Sequence, residues 1–403
     1  MLSVLLYAAI DGVRSSRDIE DHCRTDVVYR MLCGDQAPDH TTISRFRQRY
    51  RLVIRDLFTR ALSMCHLAGL VDVRKLFVDG TKIDANASLS ANRTLEQVQA
   101  LVDALLAEEA AADQADDDED PDTPAKRRGR ADRSERLDRA GELLDAAQDK
   151  HAVAAEAAGR PVDDKAPKAN TTDPDSRIMK TRKGYLQGYN AQAVVTVGQI
   201  IVAAQVTNEA NDYAQLHPMI TLSQSSCLDA GITRRIRLMC GDAGYMSEAN
   251  VASAPLDCPM LLLACGNDFK DQRTAREGTH RADMIRTLHS EPFREAYDLR
   301  KTAIEPVFGN LKYNSGFTGL KRRGLEAAND DWLLETTAHN LKKLHTDLQR
   351  LRKSLAAAIN PTKNGPKPGS GAHPSRIRTA IKRLTTRFRL PRPHRHTQHA
   401  HTC

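Results

Sequence analysis

Two aspartates stand where an unpaired charge is costly. Asp79 lies in VRKLFVDGTKID, residues 73–84. The alternation there predicts a strand with Phe77, Asp79, Thr81 and Ile83 on one face. An Asp between Phe and Thr on such a face needs a partner or a metal. RIRLMCGDAGY, residues 235–245, reads as a buried strand that ends on Asp242, with Gly241 before it and Gly244 after. Taken singly, an Asp in a strand is commonly a turn or capping residue. Held together, and joined by a glutamate from a later helix, such carboxylates would bind two Mg²⁺ or Mn²⁺ ions. Hard cations take oxygen ligands, and Mg²⁺ keeps waters that leave room for a phosphate. Two such ions ~4 Å apart clamp the attacking and leaving oxygens of an in-line displacement at phosphorus. No covalent intermediate is required, and no convincing nucleophile motif is present.

The elements that would position these groups follow from periodicity. YNAQAVVTV, Gly198-Gln199 and IIVAAQVTN read as a β-hairpin. A helix is predicted from about Asp212 to Ser226, then the strand ending on Asp242, then a short strand in LDCPMLLLAC. Residues 281–316 read as mostly helical, and a last long helix runs from about Leu325 to Ala358. The order is strand with Asp, two-stranded hairpin, helix, strand with Asp, later helix with Glu. That is the order of a ribonuclease-H-like α/β fold. Its first three strands are antiparallel and its fourth lies beside the first, which would make Asp79 and Asp242 neighbours.

Residues 90–176 interrupt this order. They are rich in Ala, Asp, Glu, Arg and Lys, with leucines at helical spacing. The expectation is a charged helical insertion with a disordered tip and no core of its own. Residues 361–403 hold ten Lys or Arg and no Asp or Glu, the composition of a basic disordered tail. Residues 1–68 read as several short helices. Asp39 or Thr41 would cap one that begins near Thr42 and presents Arg45, Arg47, Arg49 and Arg51. A turn followed by an Arg-rich helix suits DNA, because Arg neutralises phosphates and reaches base edges. An ordinary charged helix face has the same spacing, and the segment also holds eight acids.

Composition narrows the class. The chain has 403 residues and a formal net charge of +7, which is compatible with a polyanionic partner. No apolar run approaches a membrane span, and the opening segment reads as an amphipathic helix and not a signal peptide. The eight cysteines form no CxxC pair, so reduced thiols of a cytoplasmic protein are expected.

A family resemblance rests on LLYAAIDGVRSSRDIE, PDHTTISRFR, FVDGTKIDANAS, GYNAQAVV, VTNEANDYAQLHPMI, GDAGYMSEAN, RKTAIEPVFGNLKYNSGFTGLKRRGLEAANDDWLL and AHNLKKL. Together these run from residue 2 to about 345, interrupted by the insertion. The chain resembles the IS1182-type insertion-sequence transposases, within the IS4/IS5 group of DDE transposases. The resemblance implies Asp79, Asp242 and Glu305 as catalytic metal ligands for two Mg²⁺ or Mn²⁺ ions. It also implies double-stranded DNA as partner, a homodimer at synapsis and a nucleoid-associated location. The group's Tyr, Arg, Glu, Lys signature is matched by Tyr297, Arg300, Glu305 and Lys312. The Arg-to-Glu gap is one residue longer than usual, which leaves Arg300 and Lys301 as alternatives. Glu305 and Lys312 are seven apart and share a helical face with Lys301. Pro306 predicts that the helix starts or kinks there.

The expected organisation is a helical DNA-binding unit at 1–68, a catalytic unit at 73–89 and 177–347, the insertion and the tail. Relatives carry more residues ahead of LLYAAIDGV, so the first unit reads as shortened. Two further readings stay open at this point: a decayed copy that binds DNA without mobilising it, and a nuclease of the same fold with a host role.

Overall fold

The computed structural model describes residues 1–114, 124–157, 159, 166–255, 257–266 and 277–359. The charged tip of the insertion and the basic tail lie outside the described residues. Five helices open the chain: α1 (Leu2–Asp11), α2 (Ser16–Thr25), α3 (Val27–Cys33), α4 (His40–Arg49) and α5 (Arg51–Leu67). Side-chain caps open α2, α3 and α4. Ser15 accepts from Asp18 N, Asp26 from Val28 N and Tyr29 N, and Asp39 from Thr42 N at 2.6 Å. Each satisfies an amide that the first helical turn leaves without a partner.

A mixed sheet follows. Strand β1 (Lys75–Asp84) is central, which is why Leu76, Phe77 and Val78 are all buried and the expected one-sided alternation is lost there. After β1 come β2 (Asn92–Arg93), α6 (Leu95–Gln114), α7 (Pro124–Ala157) and β3 (Ala169–Asn170). Strands β2 and β3 pair antiparallel, closing the base of the insertion. The helices α6 and α7 pack through Val98, Leu105, Leu137, Ala140 and Leu144. This corrects the expectation of an insertion without a core: leucines spaced for one helix face also face each other once the chain doubles back.

The sheet is completed by β4 (Arg177–Thr181), β5 (Gly184–Thr196), β6 (Ile201–Thr207), β7 (Leu238–Gly241) and β8 (Met260–Leu263). Its order is β4-β5-β1-β7-β8, with β6 also paired to β5. β1 is antiparallel to β5, with Asp79 opposite Ala193, and parallel to β7, with Phe77 opposite Cys240. The expected arrangement of three antiparallel strands with a parallel fourth beside the first is present.

The remaining helices are α8 (Leu216–Asp229), α9 (Glu248–Ala252), α10 (His280–His289), α11 (Phe293–Ala303), α12 (Glu305–Gly309) and α13 (Leu325–Ile359). The break between α11 and α12 falls at Ile304, just before the Glu305-Pro306 pair that forecast it. α13 covers the edge strand β6. Asn340 donates to Ile201 O and accepts from Ile201 N, and Asn329 accepts from Val206 N. The helical stretch and the strand stretch between these contacts both span about 16–17 Å, so the two elements stay in step. These three otherwise open edge groups are thereby satisfied. Trp332 of the same helix is buried between Phe308 and Phe317 and donates to Gln192 O.

One apolar cluster runs from Val4 through the sheet to Leu344. The change near residue 70 is therefore one of architecture within a shared core. Among the described residues no helix is long and apolar enough to cross a membrane, and Cys23, Cys33, Cys65, Cys227, Cys240, Cys258 and Cys265 are free thiols.

Candidate active site

Asp79 and Asp242 come together as the strand register requires. Two positions beyond the Phe77–Cys240 pair, β1 reaches Asp79 and the β7 chain reaches Asp242. Asp79 Oδ1 accepts from Gly80 N at 2.8 Å, and Asp242 Oδ1 accepts from Gly244 N at 2.9 Å. The other oxygens face a single cation. Arg300 Nη2 lies 2.6 Å from Asp79 Oδ2 and 3.9 Å from Asp242 Oδ2. Arg300 is held over the site by α11, whose Tyr297, one turn earlier, donates its hydroxyl to Gly241 O at 3.3 Å.

The electrostatics are those of crowded, desolvated acids. Burial pushes the Asp79 carboxyl up to about 7, Arg300 opposes this, and Asp242 adds to it. Burial also raises Asp242, again against Arg300. Tyr297 is pushed up to about 12 by burial. Two carboxylates that resist ionising side by side would be relieved by a divalent cation. The donor set is all oxygen, as Mg²⁺ or Mn²⁺ prefers. On donor chemistry the residues fit such an ion.

Glu305 does not join the pair. It opens α12 on an exposed position, and its side chain forms no hydrogen bond or ion pair among the described residues. Among the described residues, no three His, Cys, Asp or Glu side chains stand close enough together to hold one ion.

The cations assigned to DNA divide. Arg45, Arg49 and Lys301 are exposed. Arg47 is buried, with Nη1 donating to Arg14 O at 3.0 Å, which corrects its assignment as a phosphate contact. Residues two apart on a helix point in different directions, so α4 turns Arg47 inward when it turns Arg45 and Arg49 outward. Arg51 is tied to Asp330 and Glu326 of α13. Arg300 is taken up by the acids. Lys312 Nζ donates to Lys82 O at 2.9 Å, and burial lowers its ammonium from the usual lysine range.

Sequence reading missed the polar layer on the other face of β1. Gln192 and Asn190 of β5 stand opposite Gly80 and Lys82, and both donate to Asp212 Oδ1, at 2.7 and 2.8 Å. Tyr245 donates its hydroxyl to Gln192. Lys82 Nζ donates to Ala210 O and lies 3.9 Å from Asp212. The helix expected from about Asp212 starts there as a 3₁₀ turn, Tyr213–Gln215, that runs into α8 at Leu216, and the Asp212 side chain makes no capping bond to it. The available signal was an acid placed just after the second hairpin strand.

Residues 1–49 match a family described as Transposase domain (DUF772), and residues 257–345 match one described as Transposase DDE domain. No curated protein and no solved structure matches the chain. The two matches, in this order on one chain, support an insertion-sequence transposase, a nucleic-acid-processing enzyme that acts on DNA. The first covers Arg45, Arg47 and Arg49. The second covers Arg300, Lys301, Glu305 and Lys312, and neither reaches Asp79 or Asp242.

Proposed function

We propose that the chain is a DDE transposase of the IS1182 type that cleaves and joins DNA at the ends of its own element. The observation that carries this is the meeting of Asp79 and Asp242, far apart in sequence, at one guanidinium. The antiparallel trio with a parallel fourth strand supports a ribonuclease-H-like reading of the core. In that reading 1–68 is the DNA-binding unit, 73–89 with 177–347 the catalytic unit, 90–176 an insertion, and 361–403 a basic tail.

Asp79, Asp242 and Glu305 would hold two Mg²⁺ or Mn²⁺ ions, which when bound activate the attacking oxygen and stabilise the leaving 3′-oxygen. The chain's own residues do the rest. Buried walls around Asp79 keep water from screening its charge. Arg300 neutralises the two acids until cations replace it, and is then free to hold a phosphate. Exposed Lys301 and half-buried Lys312, which flank Glu305, would contact the DNA backbone on either side of the reacting phosphate. Glu305 joins the site by a turn about the break at Ile304. The protein works on double-stranded DNA as a homodimer when two ends are paired, within the nucleoid.

The test is cleavage of a labelled duplex carrying the element's own terminal sequence, in Mg²⁺, with a gel shift in parallel. Metal-dependent nicking at the element boundary is expected. Binding without cleavage at any divalent-ion concentration would overturn the catalytic reading.

A further inference from the structure

Asp212 reaches the acids from the opposite face of the sheet. Its Oδ1 is fully engaged by the amides of Asn190 and Gln192, at 2.8 and 2.7 Å. Gln192 is itself fixed by the Tyr245 hydroxyl. This clamp sets the carboxylate's orientation and leaves Oδ2 without a hydrogen bond among the described residues. Both Asp212 Oδ2 and Asp242 Oδ1 close on Gly244: a Cβ there would sit 3.3 Å from the first and 3.1 Å from the second.

A second, independent feature points to a missing ligand. Asn190 is wholly buried, and its Nδ2 is committed to Asp212 Oδ1 and Glu209 O, so its amide cannot usefully flip. Its Oδ1 has no donor among the described residues. A buried acceptor without a donor is costly unless something outside the chain supplies one. This oxygen and Asp212 Oδ1 converge over Gly80. A Cβ at residue 80 would sit 2.5 Å from Asp212 Oδ1, 2.8 Å from Asn190 Oδ1 and closer still to Gln192 Nε2. Residue 80 must be glycine for this cradle to exist.

We infer that Asp212 is a further acidic residue of the metal centre, offering its free Oδ2 together with Asp242 to a divalent cation, with Asn190 Oδ1 accepting from a water of that cation. Mg²⁺ is commonly held by one or two carboxylates plus waters, so two protein acids suffice. Lys82, 3.9 Å from Asp212, balances the charge when no ion is bound. The inference rests on the transposase reading above, which places a cation at Asp79 and Asp242.

The test measures Mn²⁺ binding to the DNA-free protein by electron paramagnetic resonance. Asp212→Asn should weaken Mn²⁺ at least ~10-fold while the metal-free unfolding midpoint holds, and Asp79→Asn and Asp242→Asn should each do the same or more. Wild-type affinity in Asp212→Asn, with loss in the other two, overturns this inference and leaves the transposase reading standing. Wild-type affinity in all three overturns both. Should Asp212→Asn fail to fold, wild-type protein loaded with Fe²⁺ and treated with ascorbate and peroxide gives the answer. Backbone cuts near residues 210–213 as well as 242–244 are expected; cuts at 79–80 and 242–244 alone overturn the role of Asp212.

Discussion

Arg300 Nη2 lies 2.6 Å from Asp79 Oδ2 and 3.9 Å from Asp242 Oδ2, so one guanidinium on α11 bridges carboxylates delivered by two parallel strands. Its side chain is 14% exposed and that of Asp79 is 16% exposed, so water screens the pair poorly. Arg300→Gln should therefore lower the metal-free unfolding midpoint, by on the order of 1–3 kcal/mol in stability. Mg²⁺ should recover more of that midpoint in Arg300→Gln than in the wild type, because the ion replaces the lost charge. Identical metal-free melting of the two proteins would remove the ion pair from the account.

Loss of a single acid should separate catalysis from binding. Asp79→Asn, Asp242→Asn and Glu305→Gln keep side-chain shape and remove a negative charge. Each should reduce end cleavage by ~10²-fold or more, since small misplacement of reacting groups costs that much. Gel-shift affinity should stay within a few-fold, because phosphate contacts dominate it. Asp56→Asn, exposed on α5 and paired with Arg60, serves as control. Wild-type cleavage by Glu305→Gln would leave Asp79 and Asp242 in place and exclude the third acid.

The arginines of α4 should part company. Arg45→Ala and Arg49→Ala should each weaken DNA binding and reduce the salt slope by ~1, with the unfolding midpoint unchanged. Arg47→Ala should do the opposite. It removes a buried guanidinium that bonds Arg14 O, at a cost of roughly 1–3 kcal/mol. A salt titration of binding beside thermal melts separates the cases.

His339 should make stability fall in acid. The neutral ring uses both nitrogens, Nε2–H donating to Gln199 O at 2.9 Å and Nδ1 accepting from Asn310 at 3.2 Å. Burial lowers this imidazole to about 4. With the folded value below that of the unfolded chain, the unfolded state binds more protons between pH 6.5 and 4. Stability from this site is complete above that window and is lost as pH falls through it. His339→Gln should flatten the slope of unfolding free energy against pH there, measured by urea titration at half-unit steps.

Removing the helical hairpin should spare the metal centre. Arg93 and Ala169 pair across β2 and β3, so a short Gly-containing turn can replace the chain between them. The deleted α6–α7 contacts mostly serve each other. Mn²⁺ affinity should stay within a few-fold of wild type. Loss of the metal site with the sheet intact by circular dichroism would show that the hairpin shapes the centre.

Much of the sheet and of the candidate site was legible because their signals are local. Alternation marked β1, the hairpin of β5 and β6 showed as two apolar runs around Gly198-Gln199, and glycines framed Asp242. The Glu305-Pro306 pair placed the helix break within one residue, because proline restricts the residue before it. Asp39 announced the start of α4 through its side-chain oxygen. These features depend on neighbours within a few residues, which a sequence displays directly.

What only the tertiary structure decided are contacts between distant segments. Arg45 and Arg47 look alike in the sequence, and only the approach of Arg14, whose carbonyl Arg47 bonds, and of Asp331, Leu334 and Glu335 of α13 makes Arg47 an interior residue. The bridge from Arg300 to Asp79 exists because α11 lies across the ends of β1 and β7. The leucines of the insertion acquired a core because α6 and α7 fold back on each other. Asp212 approaches Asp242 because β5 carries Asn190 and Gln192 beside a glycine of β1, and that register is a property of strand pairing. The sequence by itself therefore determined which acids sit at element ends. Which charges meet there depends on how the elements stack, since side-chain period fixes only the face a residue occupies.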